Sequence, residues 1–577
     1  MATTIRHPSH KSKEHFKVCF CFRRMFRLKV AEPPDEIKTV FENYSHNGVM
    51  SMDDMCNFLV EFQGEEEEGI STRAQTIFDS LKHHNIFQRR GFHVDAFFRY
   101  LLSDLNGPLT EVHHDMNAPL AHYFLYTGHN SYLTGNQVSS ASSTSAIIKA
   151  LRKGVRVIEL DLWPNSRGDD VLVHHGGTLT SSLKLRACLI AIKDNAFFAS
   201  PYPVVITFED HITPSLQAKV AKMLIDIFGE MLFCPENPHQ MREFPSPEGL
   251  KNKILISTKP PESSGNQDQK TQEEAPERLE EYHDRSRVNY KIFCVVLLSQ
   301  DDSDDSDDTP EYRDLISIRA GKPKGKLKNC LVDHNQVRRL SLSEQELEDI
   351  SKNHGPDIVR FTQRNLLRIY PKGTRFDSSN YDSMIGWMHG AQMVAFNMQG
   401  GGHYLRYMEG MFRANGGCGY IKKPDILLND NNIFDPRAFR QVQKTLQVLV
   451  YMGDGWRSDF GPTHFDFYSP PDFRVEVGIH GVQADKAMKY TSTVEDDWVP
   501  VWNQELSFRL TVPELALLYI KVVERDFSGT HDFGGQTCLP VSQLREGIRV
   551  VRLRNRKGEL YNSVKLLIQF HFHHHTL

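Results

Sequence analysis

Apolar residues in this chain recur with three different periods, and the changes of period mark its parts. Between 33 and 106, Ile37, Val40 and Phe41, then Met55, Phe58, Leu59 and Phe62, stand three and four apart, the spacing of helices with one buried face. From about 117 to 260 the pattern becomes short β-branched runs, VRVIELDLW (155–163), YPVVITFED (202–210) and NKILISTK (252–259), with helical stretches between them. Strands that are apolar on both faces and joined by helices form parallel sheets covered on both sides. Periodic structure resumes at about 311 and continues through GYIKKP (419–424). The last segment alternates in short runs: LQVLVYM (446–452), FRVEVGI (473–479), ELSFRL (505–510), LLYIKVVE (517–524) and SVKLLIQF (563–570). Gly-, Pro- and Asp-rich turns separate them, which predicts an antiparallel β-sandwich.

Two segments break this order. Pro260-Pro261 opens a stretch of Glu, Gln, Ser and Asp ending in DDSDDSDD (301–308), a self-repelling run that reads as a linker. Such a run is suited to repel an anionic membrane or to lie over a cationic pocket. Inside it, YKIFCVVLL (290–298) is apolar and fits packing or membrane contact. Near the start, FKVCFCFRRMFRLKV (16–30) mixes aromatic and basic residues. It suits an anionic membrane surface, at about 1 kcal/mol per basic residue, with Cys19 and Cys21 open to palmitate. A first strand or helix packed on the next part is the equal alternative. ENYSHNGVMSMDD has the outline of an EF-hand loop, but with Gly48 sixth, Asn43 falls first and Asp54 twelfth. A calcium loop wants Asp first and a bidentate Glu last, so a structural relic is expected. The predicted parts are a basic, aromatic segment (1–32), an EF-hand-like helical lobe (33–106), an α/β half (117–260), an acidic linker (261–310), a second α/β half (311–428) and a sandwich (440–572).

Composition narrows the class. The chain has 577 residues, too many for one core, with 40% hydrophobic and 24% charged residues and a net charge of −5. That balance excludes a uniformly basic nucleic-acid binder. No apolar run approaches the ~20 residues that span a bilayer, and the N-terminal apolar cluster, broken by basic residues, does not read as a signal peptide. Nine scattered cysteines without a CxxC argue against zinc ribbons and disulfide frameworks. The expected place is the cytosol or the cytosolic side of a membrane.

Candidate chemistry collects where apolar strands end. His129 and Asn130 lie in GHNSYL, Glu159 and Asp161 stand two apart in VIELDLW and so share one face, VHHGGTLT brings His175, VVITFED brings Glu209, and ILISTK ends in Lys259. Two carboxylates facing a buried interior are costly unless a cation or donor meets them. Strand ends are where a (β/α)8 barrel gathers its active site. Without 261–310, positions 120–427 leave 258 residues, near the ~250 of such a barrel.

With these stand ASPYPVVITFEDH, ILISTKPP, VRRLSLSE, LLRIYPKGTRFDSSNY, MVAFNMQG and MFRANGGCGYIKKPD. Together they resemble the X and Y halves of the split TIM barrel of eukaryotic phosphoinositide-specific phospholipases C, in the plant form. The resemblance implies calcium (Ca2+) on Asn130, Glu159, Asp161 and Glu209, with Glu159 as general base toward the inositol 2-hydroxyl and Glu209 as the alternative. It implies that His129 stabilises the phosphate charge, that His175 protonates the departing diacylglycerol, and that a cyclic phosphate is then opened with roles reversed. It places the head-group phosphates on Lys259, Ser341, Arg368 and Tyr370. One position departs: Ser257 stands where the animal pattern has a second lysine, which should weaken selection for one ring phosphate. The sandwich resembles a C2 domain, in which Asp466, Asp472, Glu524, Asp526 and Asp532, with Glu495 or Asp496, can converge on calcium and bridge to anionic lipid. The tail HFHHHTL (571–577) reads as an unstructured, incidental cluster. The expected activity is calcium-dependent cleavage of phosphoinositides on the cytoplasmic face of the plasma membrane. A glycerophosphodiesterase and an inactive calcium-dependent lipid-binding scaffold are the competing readings.

Overall fold

Eight parallel strands carry the chemistry-bearing part: β1 (Thr127–Gly128), β2 (Val157–Pro164), β3 (Val204–Asp210), β4 (Ile254–Thr258), β5 (Ile316–Arg319), β6 (Arg339–Ser343), β7 (Leu366–Tyr370) and β8 (Met393–Phe396). They neighbour one another in the order β5-β4-β3-β2-β1-β8-β7-β6. A parallel bridge from Ala320 to Arg339 spans the remaining join, so the sheet is a nearly closed barrel. This is a computed structural model. It describes residues 13–19, 22–27, 31–81, 91–110, 113–235, 241–261, 312–321, 331, 336–461, 464–465, 469–525 and 531–575, and of 13–19 and 22–27 the backbone alone. The acidic linker with YKIFCVVLL, Cys21, Asp466 and Asp526 lie outside the described residues. Among the described residues no helix is long and apolar enough to cross a membrane.

Strand register builds the barrel interior in layers. Val157 pairs with Val205 and Val205 with Leu255; two residues on, Glu159 pairs with Thr207 and Thr207 with Ser257; two further, Asp161 pairs with Glu209. Register partners share a face, as do alternate residues along a strand. Val157, Val205, Leu255, Leu366 and Met393 thus close the lower interior as one buried apolar cluster. Each such side chain contributes about 1.5–3 kcal/mol through burial. This cluster is the dry floor on which the polar layers rest.

The chain divides into two compact units, Met1–Val112 with Gly402–Gly416 and Ala438–Leu577, and His113–Gly401 with Gly417–Arg437. In the first, strands β9 (Lys444–Asp454), β10 (Phe473–His480), β11 (Ala487–Tyr490), β12 (Val501–Leu510), β13 (Leu517–Glu524), β14 (Phe533–Pro540), β15 (Gly547–Arg554) and β16 (Leu560–His574) run in the antiparallel order β11-β10-β13-β14-β15-β16-β9-β12. Only the Gln536–Arg554 pair joins β14 to β15. The two four-stranded halves therefore act as facing layers, with Val448, Val475, Phe508, Ile520 and Leu566 buried between them. The helix His403–Met411 belongs to this unit. Its Tyr407 stacks on His480 at 4.1 Å, a Cβ on Gly410 would strike Cys538, and Arg413 Nη1 donates to Thr537 Oγ1 at 2.7 Å.

The expected helical lobe is present as Asp35–Asn43, Met52–Asn57 continuing to Phe62, Ile70–Leu81 and Val94–Leu101. It packs on the sandwich: Gln63 exchanges hydrogen bonds with the Ile548 backbone, and Arg549 pairs with Glu65 at 2.8 Å. Asp54 closes a capping box with Ser51 and meets His46 at 3.1 Å, so its carboxylate serves a helix start. Near the N-terminus the backbone forms two antiparallel strands, Lys13–Cys19 and Phe22–Arg27. The C-terminal histidines differ from expectation. His571–His574 complete β16, with His573 Nε2 2.7 Å from Gln447 Oε1, because Phe570 and Phe572 continue the strand's alternation.

Candidate active site

Every barrel residue singled out from the sequence lies on a strand or just beyond its carboxyl end. His129 and Asn130 follow β1, Glu159 and Asp161 sit on β2, His175 follows the short strand Val171–Val173 off β2, and Glu209 nearly ends β3. Lys259 follows β4, Ser341 is on β6, and Arg368 and Tyr370 are on β7.

Three of these form a tight acidic group. Carboxylate oxygens of Glu159, Asp161 and Glu209 lie within 4.8 Å of one another, the one such His, Cys, Asp or Glu group among the described residues. Asp161 is 2% exposed; Oδ2 accepts from Tyr132 Oη at 2.7 Å, while buried Oδ1 has no hydrogen-bond partner. Burial, then the charges of Glu209 and Glu159, push its carboxyl well above the usual carboxylate range. Glu209 stands at the open rim, where His211 Nε2 at 3.1 Å holds it below that range. Glu159 is anchored at both oxygens, by an ion pair with Arg368 and by the Asn130 backbone N–H at 3.1 Å. Asn130 directs that N–H from a left-handed backbone, φ 42°, which asparagine tolerates better than most residues. An all-oxygen set with one buried, unpartnered carboxylate oxygen fits a hard divalent cation.

Both imidazoles are held by their Nδ1 atoms. His175 Nδ1–H donates to the Gln137 carbonyl at 2.7 Å, and His129 Nδ1 lies 2.9 Å from Asn397 Oδ1. Each ring thereby keeps Nε2 for chemistry. Burial pushes His129 below the usual imidazole value; Arg368 and His175 add to this and Glu159 opposes it. Gly176 is required beside His175, since a Cβ there would overlap the Trp163 ring, which itself stacks on His211 at 4.0 Å.

Gln137 and Asn397 are site residues that sequence reasoning missed. Gln137 is buried, and its Nε2 donates to Asn397 Oδ1 at 3.0 Å and to Ser378 Oγ at 2.8 Å, while its Oε1 accepts from Asn130 Nδ2 at 2.9 Å. Its side chain thus joins the supports of His129 and Asn130, and its backbone carbonyl holds His175. Of the expected head-group residues, Ser341 is in register with Arg368, and the Arg368 guanidinium lies 5.5 Å from the Tyr370 ring centre. Lys259 is exposed at the end of β4.

The sandwich acids are less gathered. Asp472 Oδ1 accepts from the Asp496 N–H at 2.8 Å, and Glu524, which ends β13, is fully buried. The Glu524 N–H donates to the Asp532 carbonyl at 2.9 Å. The described acids Asp472, Glu524 and Asp532 form no metal-holding group with one another.

Family models match for the phosphatidylinositol-specific phospholipase C X domain over 116–260 and Y domain over 322–426. Others match for a C2 domain over 444–555 and for the EF-hand-like region of phosphoinositide-specific phospholipase C over 29–107. Phosphoinositide phospholipase C 2 of Arabidopsis thaliana is 54% identical, covering 97% of this chain and all of its own length. The mouse 1-phosphatidylinositol 4,5-bisphosphate phosphodiesterase delta-3 is 34% identical over 91% of this chain and 66% of its own. The crystal structure of L. pealei PLC21 shares the fold with a TM-score of 0.72 at 23% identity, over 94% of this chain and 69% of that one. The chain belongs to the phosphoinositide phospholipase C family and stands beside its plant members.

Proposed function

We propose that this protein hydrolyses phosphatidylinositol 4,5-bisphosphate and related phosphoinositides to diacylglycerol and a soluble inositol phosphate. It does so with calcium, peripherally on the cytoplasmic face of the plasma membrane, in intracellular signalling. The observation that carries the reading is the meeting of three carboxylates and two Nδ1-tethered imidazoles at one barrel mouth.

Glu159, Asp161, Glu209 and Asn130 would hold the calcium ion, which when bound lowers the pKa of the inositol 2-hydroxyl and offsets phosphate charge. Glu159 takes the 2-hydroxyl proton, with Glu209 as the alternative base. The 2-oxygen attacks the adjacent phosphorus in an intramolecular displacement that needs chiefly positioning. His129 steadies the phosphate charge, and His175 delivers the proton that releases diacylglycerol, then withdraws one from water to open the cyclic phosphate. Lys259, Ser341, Arg368 and Tyr370 engage the head group, Arg368 as a fork and Lys259 as a point charge. In the sandwich, Asp472, Glu524 and Asp532 do not form a metal-holding group by themselves, so a second calcium contact to anionic lipid would need Asp466 and Asp526 to complete it.

Calcium-titrated release of inositol phosphates from vesicles of phosphatidylinositol, its 4-phosphate and its 4,5-bisphosphate tests the reading. Turnover that rises with calcium is expected; vesicle binding without turnover at any calcium level would make the protein a lipid-binding scaffold. Gln137→Leu should lower kcat by about 10- to 100-fold with little change in KM, because Asn397, which holds His129, and Asn130 lose the side chain that ties them, while His175 keeps its backbone acceptor. Steady-state kinetics beside a melting curve separates this from general unfolding.

A further inference from the structure

Arg339 opens β6 and is 5% exposed. Ser341, two residues on, is in register with Arg368, whose guanidinium reaches Glu159 inside the barrel. Alternation along the strand therefore aims Arg339 inward as well. Its Nη1 donates to Ser257 Oγ at 3.0 Å, and its Nε has no hydrogen-bond partner. Ser257 in turn shares an interior layer with Thr207 and Glu159. The nearest acid that its charge feels, Glu159, is already bound to Arg368. Burial and Arg368 push the guanidinium down to about 9, which leaves it cationic near neutral pH. A buried cation with a single hydroxyl partner is costly unless an anion completes it. The open N–H groups of a guanidinium match two oxygens of one phosphate.

We propose that Arg339, steered by Ser257, is a specificity-determining residue that receives a ring phosphate monoester of the head group. The proposal rests on the phosphoinositide reading above. It also changes what Ser257 means: the serine makes room for a cation arriving from β6 in place of one carried on β4.

The test uses the full chain on vesicles of the three phosphoinositides at fixed calcium. Arg339→Met should lower kcat/KM for the bisphosphate by at least about tenfold and for phosphatidylinositol by less than about twofold. Adding Ser257→Lys to that variant should restore the preference. An equal fall on all three lipids, or no change on any, overturns the proposal. Binding of soluble inositol 1,4,5-trisphosphate and inositol 1-phosphate, measured by calorimetry, reads the same site without turnover. Weakening confined to the trisphosphate supports the assignment, and equal weakening of both refutes it. Should Arg339→Met fail to fold, Ser257→Ala, which removes only the steering hydroxyl, should shift the preference in the same direction; an unchanged preference counts against the proposal. A wild-type enzyme that cleaves none of the lipids would instead overturn the hydrolase reading, and the calorimetry would still judge Arg339.

Discussion

Replacing His175 with alanine is expected to slow release of inositol phosphate from natural lipid by about 100- to 10,000-fold. A substrate whose departing group leaves as a stable anion, such as an aryl inositol phosphate, should recover most of that loss. The reason lies in the tether: with Nδ1–H given to the Gln137 carbonyl, the ring offers Nε2 alone to the leaving oxygen. A leaving group that needs no proton makes that nitrogen dispensable in the first step. His129→Ala should be slow on both substrates, because phosphate charge develops whichever group departs. Parallel rates on lipid and aryl substrates decide the matter. Recovery of His129→Ala but not of His175→Ala would exchange the two roles.

Asp161→Asn is expected to raise the calcium needed for half-maximal activity by at least about tenfold, or 1.4 kcal/mol. The same change should raise the melting temperature in chelator. Burial, then the charges of Glu209 and Glu159, hold the Asp161 carboxyl well above the usual carboxylate range, so the metal-free fold bears the cost of keeping an acid there that the unfolded chain ionises freely. Replacing the acid with an amide removes that cost from the metal-free fold and takes one oxygen anion from the ion's site. Wild-type protein should accordingly melt higher when calcium is added, since a ligand bound only by the native state stabilises it. The variant should show little of that gain. Differential scanning calorimetry with and without calcium measures both signs, and a wild-type melting point indifferent to calcium would place the ion elsewhere.

Glu209 is legible in the sequence because it ends an apolar run. In VVITFED the change from buried strand to carboxylate is abrupt, and β3 ends one residue beyond Glu209. Spacing alone also put Glu159 and Asp161 on one face. Gln137 and Asn397 gave no such signal: they are uncharged, lie beyond strand ends and meet across 260 residues of chain. Arg339 was hidden by its neighbour Arg338 in VRRLSLSE, since only strand register decides which of the two points inward. In the sandwich, β14 and β15 escaped notice because FGGQTCLP reads as a glycine turn and GIRVVRLR as a basic run. Their membership depends on pairing with β13 and β16.

The helix His403–Met411 limits how this protein can be cut into modules. It falls inside the stretch of sequence that supplies the barrel, yet its Tyr407 and Gly410 are seated on the sandwich strands. A chain truncated after Arg437 would keep the helix and lose the sandwich strands it rests on, baring Tyr407 and Gly410 to water. Neither unit is a continuous piece of polypeptide, so genetic dissection of catalysis from lipid binding must proceed by surface substitution.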